Sequence, residues 1–335
     1  MSRYTSAHIN PEGPGDARPT ALQIVTDNNI ADKLNGKVAV VTGCSAGLGI
    51  EVVRALAVTG ITLYLTARDI VKAKNTLTDK VNVSKIHFVK MDQTSLQSVR
   101  EAANTILSKT HTVNILINNA GIMAIPELQL TKDGFEVQFA TNHLSHFLFF
   151  GLLKPALLAA TTPEFQSRVV ILSAAAHRIQ GLNPSGDYFF KNTQYDPWRA
   201  YAQSKCANIY MANEIERRFG ARGLHATSLH PGIIVTGLSK FVSPEIRDSM
   251  LQDQALLKTF KNPEQGAATT IYAAIDKDWE GRGGKYLVNC TEAVRGPDDG
   301  YRASDTYVSH TYCPELEAQL WRDSLELVGL EETTY

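Results

Sequence analysis

The sequence predicts an α/β fold, a doubly wound sheet of about seven parallel strands with helices on both faces. Two observations predict it. Short apolar runs recur along residues 37–310, and amphipathic helix-like segments separate them. Strands that alternate with helices assemble into a parallel sheet covered on both sides. The first run, "KVAVVTG", stops at a turn that holds Gly43, Gly47 and Gly49, and a helical pattern follows. That is where such a sheet places a ligand, beyond the carboxyl ends of its strands.

Residues 1–36 read as an N-terminal extension. "NPEGPGDARP" is rich in Pro and Gly and reads as irregular, whereas "TALQIVTDNNIADKL" has the spacing of a short helix packed on the domain. The strand-like runs follow in order: "KVAVVTG", "ITLYLTA", "KIHFVKM", "VNILINN", "RVVILSA", "LHATSLH" and "GKYLV". No internal repeat or linker interrupts them, so residues 37–335 are expected to form a single domain. "HFLFFGLLKPALLAA" is too short to span a bilayer and reads as a buried helix. "GLSKFVSPEIRDSMLQDQALLKTF", about residues 237–262, mixes apolar and charged positions and is expected to be a substrate lid. "CPELEAQLWRDSLELVGL", about residues 313–330, reads as a final amphipathic helix.

Bulk composition narrows the function classes. The 335 residues are 44% hydrophobic and 20% charged, as in an ordinary globular protein. A formal net charge of −1 argues against a nucleic-acid surface. The four cysteines form no CxxC pair, which points to a reducing compartment. The leader is polar, with no apolar signal core. A cytoplasmic protein without a membrane span is therefore expected.

The glycine turn suits a pyrophosphate. A Cβ would hinder close approach of the backbone, and the following helix aims its N–H groups at the phosphates. The spacing is T-G-x-x-x-G-x-G, not GxGxxG. Four more motifs follow in order: "NNAG" (Asn118 to Gly121), "NHLSHF", "YAQSK" and "HPGIIVTGL". Together they resemble the short-chain dehydrogenase/reductase family, in its retinol-dehydrogenase-like branch, over roughly residues 37–290. "YDPWRAYAQSKCANIYMANEIERR" and the leader look most like fungal secondary-metabolism members. The resemblance implies a Rossmann-type fold, an NADP(H) cofactor and a hydrophobic small-molecule substrate, and it allows a homodimer.

Tyr201 and Lys205 are four residues apart, so a helix places them one turn apart on one face. A neighbouring ammonium lowers a phenol's pKa from about 10 and equips the pair for acid/base exchange with an alcohol or carbonyl. By resemblance, Lys205 also holds the nicotinamide ribose. Asn142 is implied to support a helix kink and a proton-relay water. The cofactor set implied is Gly43, Ser45, Gly47, Leu48, Gly49, Arg68, Asp92, Asn119, Ala120, Gly121, Tyr201, Lys205, Pro231, Gly232, Ile234 and Thr236. In that set Asp92 meets the adenine, and Thr236 with the backbone near Ile234 meets the carboxamide. Arg68 ends the second strand where NAD enzymes usually place an acid, and its planar fork suits a 2′-phosphate. Asp69, one residue on, keeps an NAD reading open. His143 and His146 lack a third ligand, so no metal is expected.

One position departs from the family pattern. The branch reads S-S-x-A-H after the fifth strand, and here the segment is "VVILSAAAHR". Ser173 takes the first serine's place and Ala174 the catalytic one's. A one-residue step along a strand turns the side chain to the opposite face, so Ser173 is an awkward substitute, although a bend at the strand's end leaves rescue open. Three readings stay open: an ordinary reductase with compensating groups, a non-redox isomerase or cyclase, or an inactive chain whose serine was removed deliberately.

Overall fold

A computed structural model of the chain describes residues 2–332. Its sheet has the order β3-β2-β1-β4-β5-β6-β7-β8. The strands are β1 Val38–Thr42, β2 Thr62–Ala67, β3 Ile86–Lys90, β4 Ile115–Asn118, β5 Ser167–Leu172, β6 Leu224–His230, β7 Lys285–Val288 and β8 Thr291–Glu292. The first seven are parallel and lie where the sequence predicts them. The eighth is a correction: two residues turn back antiparallel on β7 after Asn289 and Cys290, both of positive φ. Strand order reverses between β1 and β4, and this switch point opens the crevice at the carboxyl edge.

Every residue of β1 is buried, because both faces of the sheet are covered. Side chains alternate between two cores. Val38 and Val40 pack with Leu116, Phe139, Phe147 and Tyr210, beneath helices Leu96–Leu107, Ser145–Ala159, Pro197–Phe219 and Pro314–Val328. Ala39 and Val41 pack with Ile24, Leu56, Ile117 and Ile271, beneath helices Ala21–Asp27, Leu48–Val58 and Ala268–Ile275. Phe147 meets Trp321 edge-on at 4.9 Å, fastening the C-terminal helix. Truncating such a ring to Ala would cost about 3–5 kcal/mol.

Residues 10–19 are irregular, as their composition predicts, yet they are pinned. Arg18 is buried and donates to the carbonyls of Gly13 (3.0 Å), Thr259 (2.8 Å) and Phe260 (2.5 Å), while its Nε meets Asp16 at 2.8 Å. Gln265 donates to Asp16 Oδ1 at 2.9 Å and accepts from the Gly15 N–H at 2.9 Å. Helix Ala21–Asp27, capped by Thr20, buries Ala21, Ile24 and Val25 on the domain. The expected lid resolves into a 3-10 turn Gly237–Phe241 and helices Pro244–Gln252 and Gln254–Thr259, none with a buried residue. No helix among the described residues is long and apolar enough to cross a membrane.

Candidate active site

From sequence, all three glycines of the first turn are assigned to ligand approach; the structure separates them. A Cβ on Gly43 would lie 2.7 Å from the Ala120 Cβ, and one on Gly49 would lie 2.3 Å from the Gly43 carbonyl oxygen. Those two let the protein pack against itself. Gly47 has φ +61°, and a Cβ there would meet nothing nearer than Thr236 at 3.8 Å. Gly47 caps helix Leu48–Val58, and no side chain satisfies that helix's first N–H groups. An uncapped N-terminus beside open space is a fit for a pyrophosphate. Ser45 and Leu48 lie half-buried in the same turn.

The second wall is the turn after β4. The Thr42 hydroxyl accepts the N–H groups of Asn119 and Ala120, each at 3.0 Å, and lies 2.9 Å from His146 Nε2. Asn119 Nδ2 returns a bond to the Thr42 carbonyl at 2.8 Å. Sequence alone offers only the Thr-Gly dipeptide as a hint of Thr42's role, and it sets His146 beside His143 only as a candidate metal pair. The third wall is the loop after β6. Gly232 has φ +102°, and a Cβ there would strike the Lys261 side chain at 2.9 Å. Ile234 and Leu48 both close on Gly266, which ties this loop to the first turn. Thr236 accepts from the Leu238 N–H at 3.3 Å, and Pro231 is half-exposed at the edge.

Tyr201 and Lys205 project from helix Pro197–Phe219, which starts at an Asp196 cap with Pro at its first position. Both are 4% exposed. Lys205 Nζ lies 5.6 Å from the Tyr201 ring centre and donates to the Leu172 carbonyl at 3.1 Å. Burial brings the lysine down to about 8 and pushes the tyrosine up. Desolvation disfavours the phenolate and so opposes the lowering expected of a neighbouring ammonium. A Cβ on Gly121 would lie 3.4 Å from Lys205 Nζ and 3.1 Å from Asn142 Oδ1, so the three positions converge.

Asn142 is fully buried at the centre of a π-helical segment, Ala140–Leu144, that runs into helix Ser145–Ala159. Its side chain accepts from the Ile122 N–H (2.9 Å) and donates to the Ile122 carbonyl (3.0 Å) and to Ser204 (2.9 Å). Its carbonyl lies 2.9 Å from His146 Nδ1. His143 meets Ser324 at 2.9 Å. Each histidine thus has protein partners, and no cluster among the described residues suits a metal.

Residues 37–183 match the family model described as short chain dehydrogenase. The chain is 46% identical over 330 residues to the short-chain dehydrogenase/reductase prx1 of Penicillium roqueforti, covering 98% of this chain and 96% of that one. The chain belongs to the short-chain dehydrogenase/reductase family of oxidoreductases. It is also 41% identical to oxidoreductase calI of Penicillium decumbens, over 99% of both chains. Human polyprenol dehydrogenase is 34% identical, covering 89% of this chain and 87% of that one. A solved structure of an uncharacterised protein from Mycobacterium paratuberculosis superposes with a TM-score of 0.67 at 28% identity, covering 95% of this chain and 98% of that one. The RhlG/NADP complex of Pseudomonas aeruginosa superposes at 0.60 with 21% identity, covering 76% and 94%, and shares the fold.

In this short-chain dehydrogenase the remaining site residues divide by what already holds them. Asp69 caps helix Ile70–Leu77, its Oδ1 accepting from the Lys72 N–H at 2.9 Å. Arg68 is exposed and makes no hydrogen bond or ion pair among the described residues. Asp92 Oδ1 accepts from the N–H and hydroxyl of Thr94, at 3.0 and 2.8 Å, and so shapes its own loop. Ser173 donates its hydroxyl to the Lys205 carbonyl at 2.7 Å, which fastens β5 to the tyrosine helix. That hydroxyl hydrogen is therefore not aimed at a reacting oxygen. Ala174 is half-exposed, extended (φ −157°, ψ 158°), and its carbonyl accepts from the His177 N–H at 3.0 Å.

Proposed function

We propose that this short-chain dehydrogenase is an NADP(H)-dependent oxidoreductase that interconverts a ketone or aldehyde and an alcohol on a hydrophobic small molecule, a secondary metabolite. The observation that carries the reading is the buried Tyr201–Lys205 pair converging with Asn142 and Gly121 beside an uncapped helix N-terminus. Gly47, Ser45 and the first N–H groups of helix Leu48–Val58 would hold the pyrophosphate, with Asn119, Ala120, Gly121 and Lys205 along the ribose. Asp92 would meet the adenine, and Pro231, Gly232, Ile234 and Thr236 the nicotinamide end. Bound NADPH supplies a hydride to a carbonyl carbon.

The chain's own residues supply the rest. Burial keeps the Tyr201 phenol protonated, which suits a general acid that gives its proton to the carbonyl oxygen. Lys205 carries charge below about pH 8 and steadies the tyrosinate that this transfer leaves behind. Asn142 holds the backbone at Ile122 against the π-helical turn and so fixes the floor under the pair. Arg68 favours NADP(H), because its exposed guanidinium has no partner among the described residues and its planar fork suits a 2′-phosphate. A lipophilic substrate is supported by the exposed lid side chains Leu238, Phe241 and Leu251, and by the likeness to a polyprenol dehydrogenase. Four free cysteines suit a reducing, cytoplasmic setting.

The test is NADPH oxidation with a panel of lipophilic ketones and mass analysis of the products. A gain of two hydrogens supports the reading, and no reduction of any ketone refutes it. Ala174 favours one alternative, an isomerase or cyclase, which would convert substrate at unchanged mass.

A further inference from the structure

We infer that Arg302 and Trp198 form a recognition site for a carboxylate on the substrate, so that the preferred substrates are hydrophobic oxo acids or the corresponding hydroxy acids. The inference rests on Tyr201 as the reacting residue. Trp198 precedes Tyr201 by one helical turn and lies on the same face. Their rings meet edge to face, 6.3 Å apart and 80° inclined. The Arg302 guanidinium stacks over the indole, 4.4 Å from its centre.

Among the described residues that stacking is the one interaction of the Arg302 side chain. The acids of its own loop are engaged elsewhere. Asp298 pairs with Arg295 at 2.9 Å, Asp299 with Arg178 at 2.6 Å, and Asp305 accepts from Asn289 Nδ2 at 2.7 Å. Arg302 is half-buried, and burial lowers its pKa, as for a charge short of both water and a counter-ion. A guanidinium held over an indole face by cation–π attraction still has N–H donors to offer, and its planar fork matches a carboxylate bidentately.

The loop that carries Arg302 is held in place. Arg178 is buried, and its guanidinium donates to the carbonyls of Tyr301 (2.9 Å) and Pro297 (3.0 Å) and to the Thr306 hydroxyl. Arg178 sits in the short turn that begins just after Ala174, so one element presents both the empty serine position and the clasp of the Arg302 loop. The cofactor's anionic groups are assigned to the glycine turn and Arg68, on the first two strands. The cation at Arg302 is left for the other reactant.

The probes are 6-oxo-6-phenylhexanoate and its methyl ester, with binding measured by calorimetry in the presence of NADP⁺ and turnover followed as NADPH oxidation. The acid should bind roughly tenfold or more tighter than the ester, the size expected of hydrogen bonds to a charged group. Arg302→Met should bring the acid down to the ester's affinity and leave the NADPH dissociation constant unchanged. Arg302→Lys should restore part of the preference and guards against misfolding of the first variant. Equal affinity of acid and ester in the wild-type chain overturns the inference, as does binding of neither, or a preference that persists in Arg302→Met. A clear preference for the acid without turnover of either compound supports the site and counts against the reductase reading alone.

Discussion

Ala174→Ser is the sharpest test of what the missing hydroxyl means. In a reductase, a donor aimed at the reacting oxygen stabilises the charge that develops there, and losing one such donor costs about 10²–10³ in rate. The structure says what restoring it would cost. Ala174 is half-exposed, so the roughly 1–3 kcal/mol for a buried, unpartnered hydroxyl does not apply in full. Its extended backbone admits serine without strain. One sink competes for the new hydroxyl: position 174 caps the turn Ala175–Arg178, and a serine there can turn back onto that turn's N–H groups. We therefore expect a gain of about tenfold or more, below the full effect of an aimed donor. Both proteins would be compared on the same ketone, with melting temperature as the folding control. A flat or lower rate at unchanged melting temperature would refute the impaired-reductase reasoning. Ser173→Ala would then be decisive, since a large loss of rate in a well-folded variant would restore Ser173 as the donor.

Tyr201→Phe should abolish turnover, because it removes the transferable proton and keeps the ring, while the cofactor dissociation constant stays within about threefold; wild-type rates in the variant would disprove the assignment. Lys205 is charged below about pH 8 because burial disfavours its ammonium form, so the reduction rate should fall as pH rises through that value, and a profile flat from about pH 7 to pH 9.5 would contradict this. Arg68→Ala should weaken NADPH binding by about tenfold to a hundredfold and leave NADH binding unchanged, measured by fluorescence titration; an unaltered NADPH affinity would refute the phosphate contact. Gly49→Ala drives a Cβ to 2.3 Å from the Gly43 carbonyl oxygen and should lower stability by about 1–3 kcal/mol or more, read by urea unfolding; a neutral result would show that the turn yields.

The seven parallel strands were legible because buried strands announce themselves as short apolar runs at near-regular spacing, and "KVAVVTG" needs no tertiary information to be read so. β8 was not, because Thr291–Glu292 carries no apolar signal and exists only through pairing with β7. The tyrosine and lysine were legible through helical spacing, but their protonation was not, since adjacency is written in the sequence and burial is not. Sequence keeps an NAD reading open at Asp69 and gives no sign of its cap, which only the direction of one carboxylate in the fold reveals. Ser173 illustrates the same limit. Strand parity argues against it, and the bond to the Lys205 carbonyl supplies the physical reason. Trp198 and Arg302 lie about a hundred residues apart in the chain, and no local pattern joins them.

Arg18 donates to carbonyls at Thr259 and Phe260, and the Gly15 N–H to a side chain 250 positions later. Such distant pairings have consequences for the order of events during synthesis. Residues 13–18 wait for partners that emerge only after six strands of the sheet have been made. Closing so long a loop costs less entropy once the intervening chain is already compact. Residues 13–18 therefore lock only after residue 265 has emerged, and their resistance to a protease marks chains whose segment 259–265 has docked. A polypeptide halted before residue 260 would hold the runs of β1 to β6, lack β7 and β8, and leave Arg18 without its carbonyl partner at Phe260.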